Sequence, residues 1–419
     1  MTTVVLGAGV IGVTTAYYLA RDGHKVVVIE RQPAAGLETS FANGGLVTPG
    51  MSDPWAAPGI PMLILKHLGR EDAPFLLRLK ALPGMIGWGL RFLANCTPGR
   101  WRENTETVFR LGLYSRDALD ALTEALKLSY DRGDSGNLRV YQDQASLAKA
   151  RKAADIYREL GLAVAALDAE ACVRLEPALR PVRQNLTGGI HYIGDRSGDC
   201  LRFTQSLALH AANLGVEFRY DTSITGFETG GGVVKAVMTD KGRIAGDRFV
   251  LACGSYSMPL GRQLDLKLPV QPVKGYSATL PVGGWNNAPT VPLVDYHRKM
   301  GLTRLGDRIR LAGTAEFAGY DRSANPPRAA MLLAGFRQLF PEYPGSGEAQ
   351  HWTGLRPMCP DGRPILGRSP IENLFLNTGH GPLGWSLACG SAKALTDVMA
   401  GRKPDIALNG FALERFGRA

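Results

Sequence analysis

The feature that most constrains this chain is at its start. Thr3-Val4-Val5-Leu6-Gly7-Ala8-Gly9-Val10-Ile11-Gly12 reads as a strand, a glycine turn and the opening of a helix over residues 10 to 22. Gly7 permits the tight turn, Gly9 lets backbone N–H groups of the turn and of Val10 and Ile11 approach a pyrophosphate, and Gly12 allows close helix–sheet packing. The run Lys25-Val26-Val27-Val28-Ile29 is continuous and β-branched, as in a buried parallel strand, and ends at Glu30 and Arg31. Glu30 stands 18 residues beyond Gly12, near the usual spacing of roughly 20, where a carboxylate accepts ribose hydroxyls and repels a 2'-phosphate. The segment therefore predicts a dinucleotide site. Three glycines can also be a packing device without a ligand, but the strand, helix and acidic residue in register argue against that alternative.

The chain has 419 residues, enough for two domains of about 150 to 200 residues. Composition is that of a water-soluble globular protein, with 45% hydrophobic and 21% charged residues. Residues 1–20 lack charge, but a glycine turn interrupts them and no basic leader or cleavage site is visible. Glycines and a proline likewise break residues 373–392 into strand, loop and helix. The expected location is the cytoplasm. Six scattered cysteines form no C-x-x-C or Cys/His cluster, so neither a disulfide framework nor a metal site is expected.

The net charge of +10 predicts attraction to a polyanion without choosing among membrane, nucleic acid and anionic substrate. Residues 60–102 interleave Met62, Leu63, Ile64, Leu65, Ile86, Trp88, Leu90, Phe92 and Trp101 with Lys66, Arg70, Arg78, Lys80, Arg91, Arg100 and Arg102. The favoured reading is a pair of amphipathic helices packed on their own domain; the alternative is a peripheral contact with the inner face of a membrane.

Apolar spacing predicts helices over 104–129, 144–160, 201–214, 327–339 and 384–399, a strand over 216–220, and a hairpin of 233–239 with 243–250. Thr39, Ser40, Asn43, Gly44, Gly45 and Leu46 form a small-residue loop suited to a cofactor, and Gly254 begins another such turn at a strand end. Residues 268–352 look mostly β. Gly379, His380, Gly381, Pro382 and Leu383 precede a helix beginning at Gly384, whose free N–H groups and dipole would stabilise negative charge.

Taken together, GAGVIG at 7–12, ETSFANGG at 38–45, GLRPMCPDGRPILG at 354–367 and TGHGPLGW at 378–385 resemble the amine-oxidising flavoprotein family of D-amino acid oxidase and glycine oxidase. Shorter matches extend the similarity over nearly the whole chain. The resemblance implies an α/β fold: a discontinuous Rossmann-like FAD-binding domain (1–60, 196–265 and 353–419) and a mixed, mostly antiparallel β substrate domain with helices (61–195 and 266–352). It implies FAD, held by the residues named above, and oxidation of a D-amino acid to an imino acid that water hydrolyses to a 2-oxo acid and ammonia. Arg356 matches the arginine that clamps the substrate carboxylate, a task suited to a planar guanidinium. Tyr276 and Tyr320 are expected as substrate contacts, and His380 as a hydrogen-bonding residue near the flavin. A quinone or another non-oxygen compound is the expected acceptor; oxygen, or a cyclic amino acid as substrate, is the alternative. No nucleic acid is expected as a partner. The chain departs from its nearest relatives around Asp295-Tyr296-His297-Arg298-Lys299 and at Leu46, which bears on substrate identity.

Overall fold

The structure, a computed structural model, describes residues 1–67, 69–71, 73, 75–345 and 348–417. Two sheets organise it. The first runs Ile365–Arg368, Leu374–Thr378, Arg248–Leu251, Thr2–Leu6, Lys25–Ile29 and Glu217–Arg219. All its pairings are parallel except that of Ile365–Arg368 with Leu374–Thr378. Its central strands are apolar on both sides because both faces are covered. Helices Val10–Arg21, Cys200–Asn213 and Gly384–Met399 join one core with Val5, Val28 and Val250, while a three-stranded sheet contributes Val234, Val237 and Ile244 to the core on the other side.

The hairpin expected over 233–250 is shorter. Its second strand, Gly242–Ala245, stops before Gly246-Asp247, and Arg248–Leu251 leaves to join the parallel sheet. The chain changes sheet at Gly246-Asp247. The helix expected from residue 104 begins at Pro98 and ends at Leu126, where Lys127 adopts a left-handed conformation (φ 51°). Val108, Leu111, Leu119 and Leu122 bury its apolar face in the core of the parallel sheet, although residues 61–195 were expected in the other domain.

The second sheet has nine strands and is mostly antiparallel. Its path runs from Gln350–Met358 through Gln271–Pro281, Arg308–Phe317, Met300–Leu305, Leu293–Asp295, Asn137–Tyr141 and Gly188–Tyr192 to Val164–Asp168, with Phe75–Leu77 beside Arg308–Phe317. Helix Pro326–Leu339 packs Leu332 and Phe336 in one core with Tyr276, Ala278, Leu302 and Leu311. The expected boundary at residue 353 falls inside the strand Gln350–Met358, which pairs residue by residue with Gln271–Thr279.

Candidate active site

A cavity of about 760 Å³ runs between the two sheets. One end of it is made by the first turn. Gly7 has φ 98°, open to glycine, and a Cβ on Gly12 would overlap the Gly7 carbonyl oxygen. Gly12 therefore supports the turn from behind, while Gly7, Gly9, Val10 and Ile11 line the cavity. Helix Val10–Arg21 has no side-chain cap hydrogen bond at Gly9; the Val10 N–H donates to Ser40 Oγ at 3.0 Å, which ties the loop to the helix start. Glu30 is buried, and its carboxylate accepts from Ala8 N at 2.8 Å and Gln32 N at 2.9 Å. Burial raises its pKa, against the pull of those two N–H groups. Arg31 lies over the Tyr256 ring at 3.8 Å and pairs with Glu38 at 2.6 Å.

The loop Thr39–Leu46 is fastened to the second sheet. Thr39 Oγ1 donates to Leu355 O at 2.8 Å, Thr303 Oγ1 to Gly44 O at 2.8 Å, and Gly45 N to Asn43 Oδ1 at 3.0 Å. Thr39, Ser40, Asn43, Gly44, Leu46 and Gly254 line the cavity; Gly45 (φ 77°) packs against Thr303 and Gly198 instead. His380, Gly381, Pro382, Leu383, Gly384 and Trp385 also line it, whereas Gly379 (φ 78°) packs against Cys359. Trp385 Nε1 and Asn377 Oδ1 are buried beside the cavity with no partner among the described residues. A buried donor or acceptor left unpaired costs on the order of 1–3 kcal/mol, so these atoms fit a polar ligand.

At the other end, Arg356 projects from Gln350–Met358 across Gly275, where any side chain would collide with the guanidinium. Its Nη1 donates to Thr314 O at 2.9 Å, and the Trp55 ring lies 5.8 Å away. No carboxylate among the described residues forms an ion pair with it; Glu316, the buried carboxylate nearest in the sheet, is taken by Arg78, Lys274 and Arg328. Arg356 lines the cavity, and burial lowers its pKa to about 10. Ser277 Oγ and Thr314 Oγ1, buried beside the cavity, also lack partners among the described residues.

Two tyrosines behave differently from the expectation. Strand alternation puts Gly275 and Ser277 toward the cavity and the side chain of Tyr276 toward helix Pro326–Leu339. Tyr276 is among the lining residues, but its hydroxyl donates to Glu316 Oε2 at 2.6 Å. Tyr320 lies outside the lining altogether: its hydroxyl donates to Ser255 O at 3.0 Å and its ring packs on Tyr256. His380 is buried, with Nε2 and Ser391 Oγ 3.1 Å apart. Burial holds its pKa down to about 3, so it is neutral at ordinary pH.

Sequence reasoning missed Thr48, Asp53, Ser277, Thr314 and Arg139. Arg139 sits beneath the loop over the cavity: its Nη2 donates to Gly50 O at 2.5 Å and lies 3.7 Å from Asp53 Oδ1, while Gly50 N donates to buried Asp195 at 3.0 Å.

A family model described as FAD dependent oxidoreductase matches residues 2–398. The chain belongs to this family of FAD-dependent oxidoreductases. FAD is thus its cofactor, in keeping with the glycine turn and the unpaired polar atoms. Similar curated relatives are the D-amino acid dehydrogenases of Dechloromonas aromatica, 47% identical over 97% of this chain and 98% of that protein, and of Paramagnetospirillum magneticum, 46% identical over 99% of each. Among solved structures, glycine oxidase from Geobacillus kaustophilus superposes with a TM-score of 0.78 at 21% identity, over 99% of this chain and 98% of that one. L-proline dehydrogenase from P. horikoshii gives 0.79 at 17%, over 99% and 97%. These two likenesses establish the fold of the family member described here.

Proposed function

We propose that this chain oxidises D-amino acids to imino acids, which water hydrolyses to 2-oxo acids and ammonia, and that the electrons leave for a quinone or another non-oxygen acceptor. The observation that carries this reading is Arg356: an enclosed guanidinium, lining the cavity, with no carboxylate of its own. A planar fork in that state suits the α-carboxylate of an amino acid. Bound FAD supplies the hydride acceptor, and the protein's task is to hold the substrate's Cα–H in position. Arg356 fixes the carboxylate, Ser277 and Thr314 offer unpaired hydroxyls to the α-amino group, and Trp55, Phe75 and Trp352 narrow the surrounding wall. His380, neutral and bonded to Ser391, serves as a fixed part of the flavin loop rather than as a base.

The nucleotide-binding part, in this reading, comprises the strands of the parallel sheet with their helices, and the substrate-binding part the nine-stranded sheet. Anaerobic mixing with D- and L-amino acids and proline isomers, followed at the oxidised-flavin band, tests the chemistry. Bleaching by D-isomers alone is expected. Bleaching by L-isomers only, or by none with FAD bound, overturns it.

The acceptor reading draws on one surface. Trp88 and Phe92 of helix Ile86–Asn95 are buried against Met358 and Ala315. Met62, Leu79, Ile86 and Leu90 nevertheless remain 64–74% exposed, beside exposed Lys66, Lys80 and Arg91; the side chain of Leu65 lies outside the described residues. No described helix is long and apolar enough to cross a membrane. This mixed apolar and basic face suits an anionic membrane surface, where quinone dissolves. Flotation with anionic liposomes at low salt is the expected result; protein that stays behind removes this clause.

A further inference from the structure

Two strained residues stand side by side in the cavity wall. Among the described residues, six other than glycine have φ in the left-handed region, and Lys299 (φ 53°) and Thr314 (φ 54°) are the two that line the cavity. The pairing of Met300 with Gly313 makes them cross-strand neighbours. Such conformations are rare, more so for a β-branched threonine, and tend to persist where the site needs them. Thr314 turns its carbonyl to Arg356 at 2.9 Å. Lys299 lays its ammonium over the Tyr296 ring, 3.1 Å from the centroid.

The charges around Lys299 leave it in surplus. Asp53 stands 3.7 Å from Arg139 and accepts the Tyr157 hydroxyl at 3.1 Å. Asp295 is held by Arg298 at 2.6 Å. The two carboxylates that face Lys299 are thus committed to arginines, and among the described residues none forms an ion pair with the lysine. Burial lowers its pKa to about 8, so at neutral pH it keeps its proton.

We propose that Lys299 is a specificity-determining residue, its ammonium receiving a carboxylate on the substrate's side chain while Arg356 holds the α-carboxylate, so that acidic D-amino acids are the preferred substrate class. This rests on the reading of Arg356 given above. Arg356 is anchored on the Thr314 carbonyl, Lys299 ends the turn before Met300–Leu305, across from Thr314, and both side chains line the one cavity. An apolar side chain would leave the ammonium with only the Tyr296 ring against it.

The test compares wild-type holoenzyme with Lys299→Met on D-glutamate and D-alanine, using an artificial electron acceptor. The ratio of kcat/KM for D-glutamate over D-alanine is expected to fall about 30-fold or more, as when one partner of an enclosed charge pair is truncated. The fall should come mainly through KM for D-glutamate, and Lys299→Arg should restore most of it. An unchanged ratio overturns the proposal. A second measurement needs no variant and no turnover: glutarate should perturb the bound flavin's spectrum with a Kd roughly tenfold or more below that of butyrate. Equal binding of the two also overturns the proposal. Failure of D-alanine and D-glutamate alike to reduce the flavin, with glutarate still preferred, would sink the proposed reaction and leave the dicarboxylate-binding pocket standing.

Discussion

At one end, proposed for the nucleotide, the cavity is bounded largely by one contiguous strand, turn and helix, whereas at the other, proposed for the substrate, it is bounded by side chains from strands far apart in sequence. Gly7, Gly9 and Gly12 act within six residues of chain. Arg356, Ser277 and Thr314, with Lys299 just before Met300–Leu305, line one cavity because Gln350–Met358, Gln271–Pro281, Arg308–Phe317 and Met300–Leu305 lie in that order in one sheet. The first end depends on space left empty by missing side chains, the second on polar groups left without partners. A substitution should therefore abolish cofactor binding at one end and alter substrate handling with the cofactor retained at the other.

The largest effect is expected from Gly12→Val, whose Cβ overlaps the Gly7 carbonyl oxygen. Loss of more than about 4 kcal/mol should give unstable, colourless protein, read by flavin absorbance and thermal unfolding; a yellow protein of normal Tm would break the contrast. Arg356→Lys keeps the charge and loses the fork. It should lower kcat/KM on the order of 10²- to 10³-fold, corresponding to about 3–4 kcal/mol, while FAD stays bound. Colourless protein would mean that the two ends are not separable.

Asp195 sharpens the comparison through pH. Burial raises its pKa to about 7, above an unfolded value of roughly 3.9. The folded state therefore holds more protons between those values, and this group's favourable contribution, full below about pH 4, is lost as pH rises through 7. Stability should fall by on the order of 2–4 kcal/mol across that window. Asp195→Asn should flatten the dependence in denaturant titrations at pH 5 and pH 8; an unaltered slope would assign it to another group. The smallest effect belongs to Tyr320→Phe, which removes a hydrogen bond to Ser255 O outside the cavity. It should cost about 1 kcal/mol or less of stability and leave kcat/KM within about twofold.

The same contrast explains what could be read in the sequence. Glycine turns, the acidic residue after a β-branched strand and the helix starts are local signals, so the parallel sheet and the residues from Gly7 to Leu46 at the nucleotide end were legible. Arg356 was legible through the motif around it. Tyr276 was read as a substrate contact; it lines the cavity with its hydroxyl given to Glu316, and the extra residue between Gly313 and Glu316 opposite it is invisible without the partner strand. Tyr320 has a glycine beside it, but its hydroxyl is taken by Ser255. Thr314 and Lys299 were missed for a different reason. Their meaning lies in a cross-strand pairing, and neither residue type announces a left-handed backbone.

The strand order of the parallel sheet also sets a timetable. Thr2–Leu6 lies between Lys25–Ile29 and Arg248–Leu251, but the far edge of Arg248–Leu251 is covered only by Leu374–Thr378. During synthesis that edge stays open, with unpaired N–H and C=O groups, until more than a hundred further residues have been added. The flavin loop and the helix Gly384–Met399 come later still. The first turn of the chain therefore waits for the last of these elements before its cofactor site is whole, and a nascent chain stalled before residue 374 would present a sticky, flavin-free sheet to the cell's chaperones.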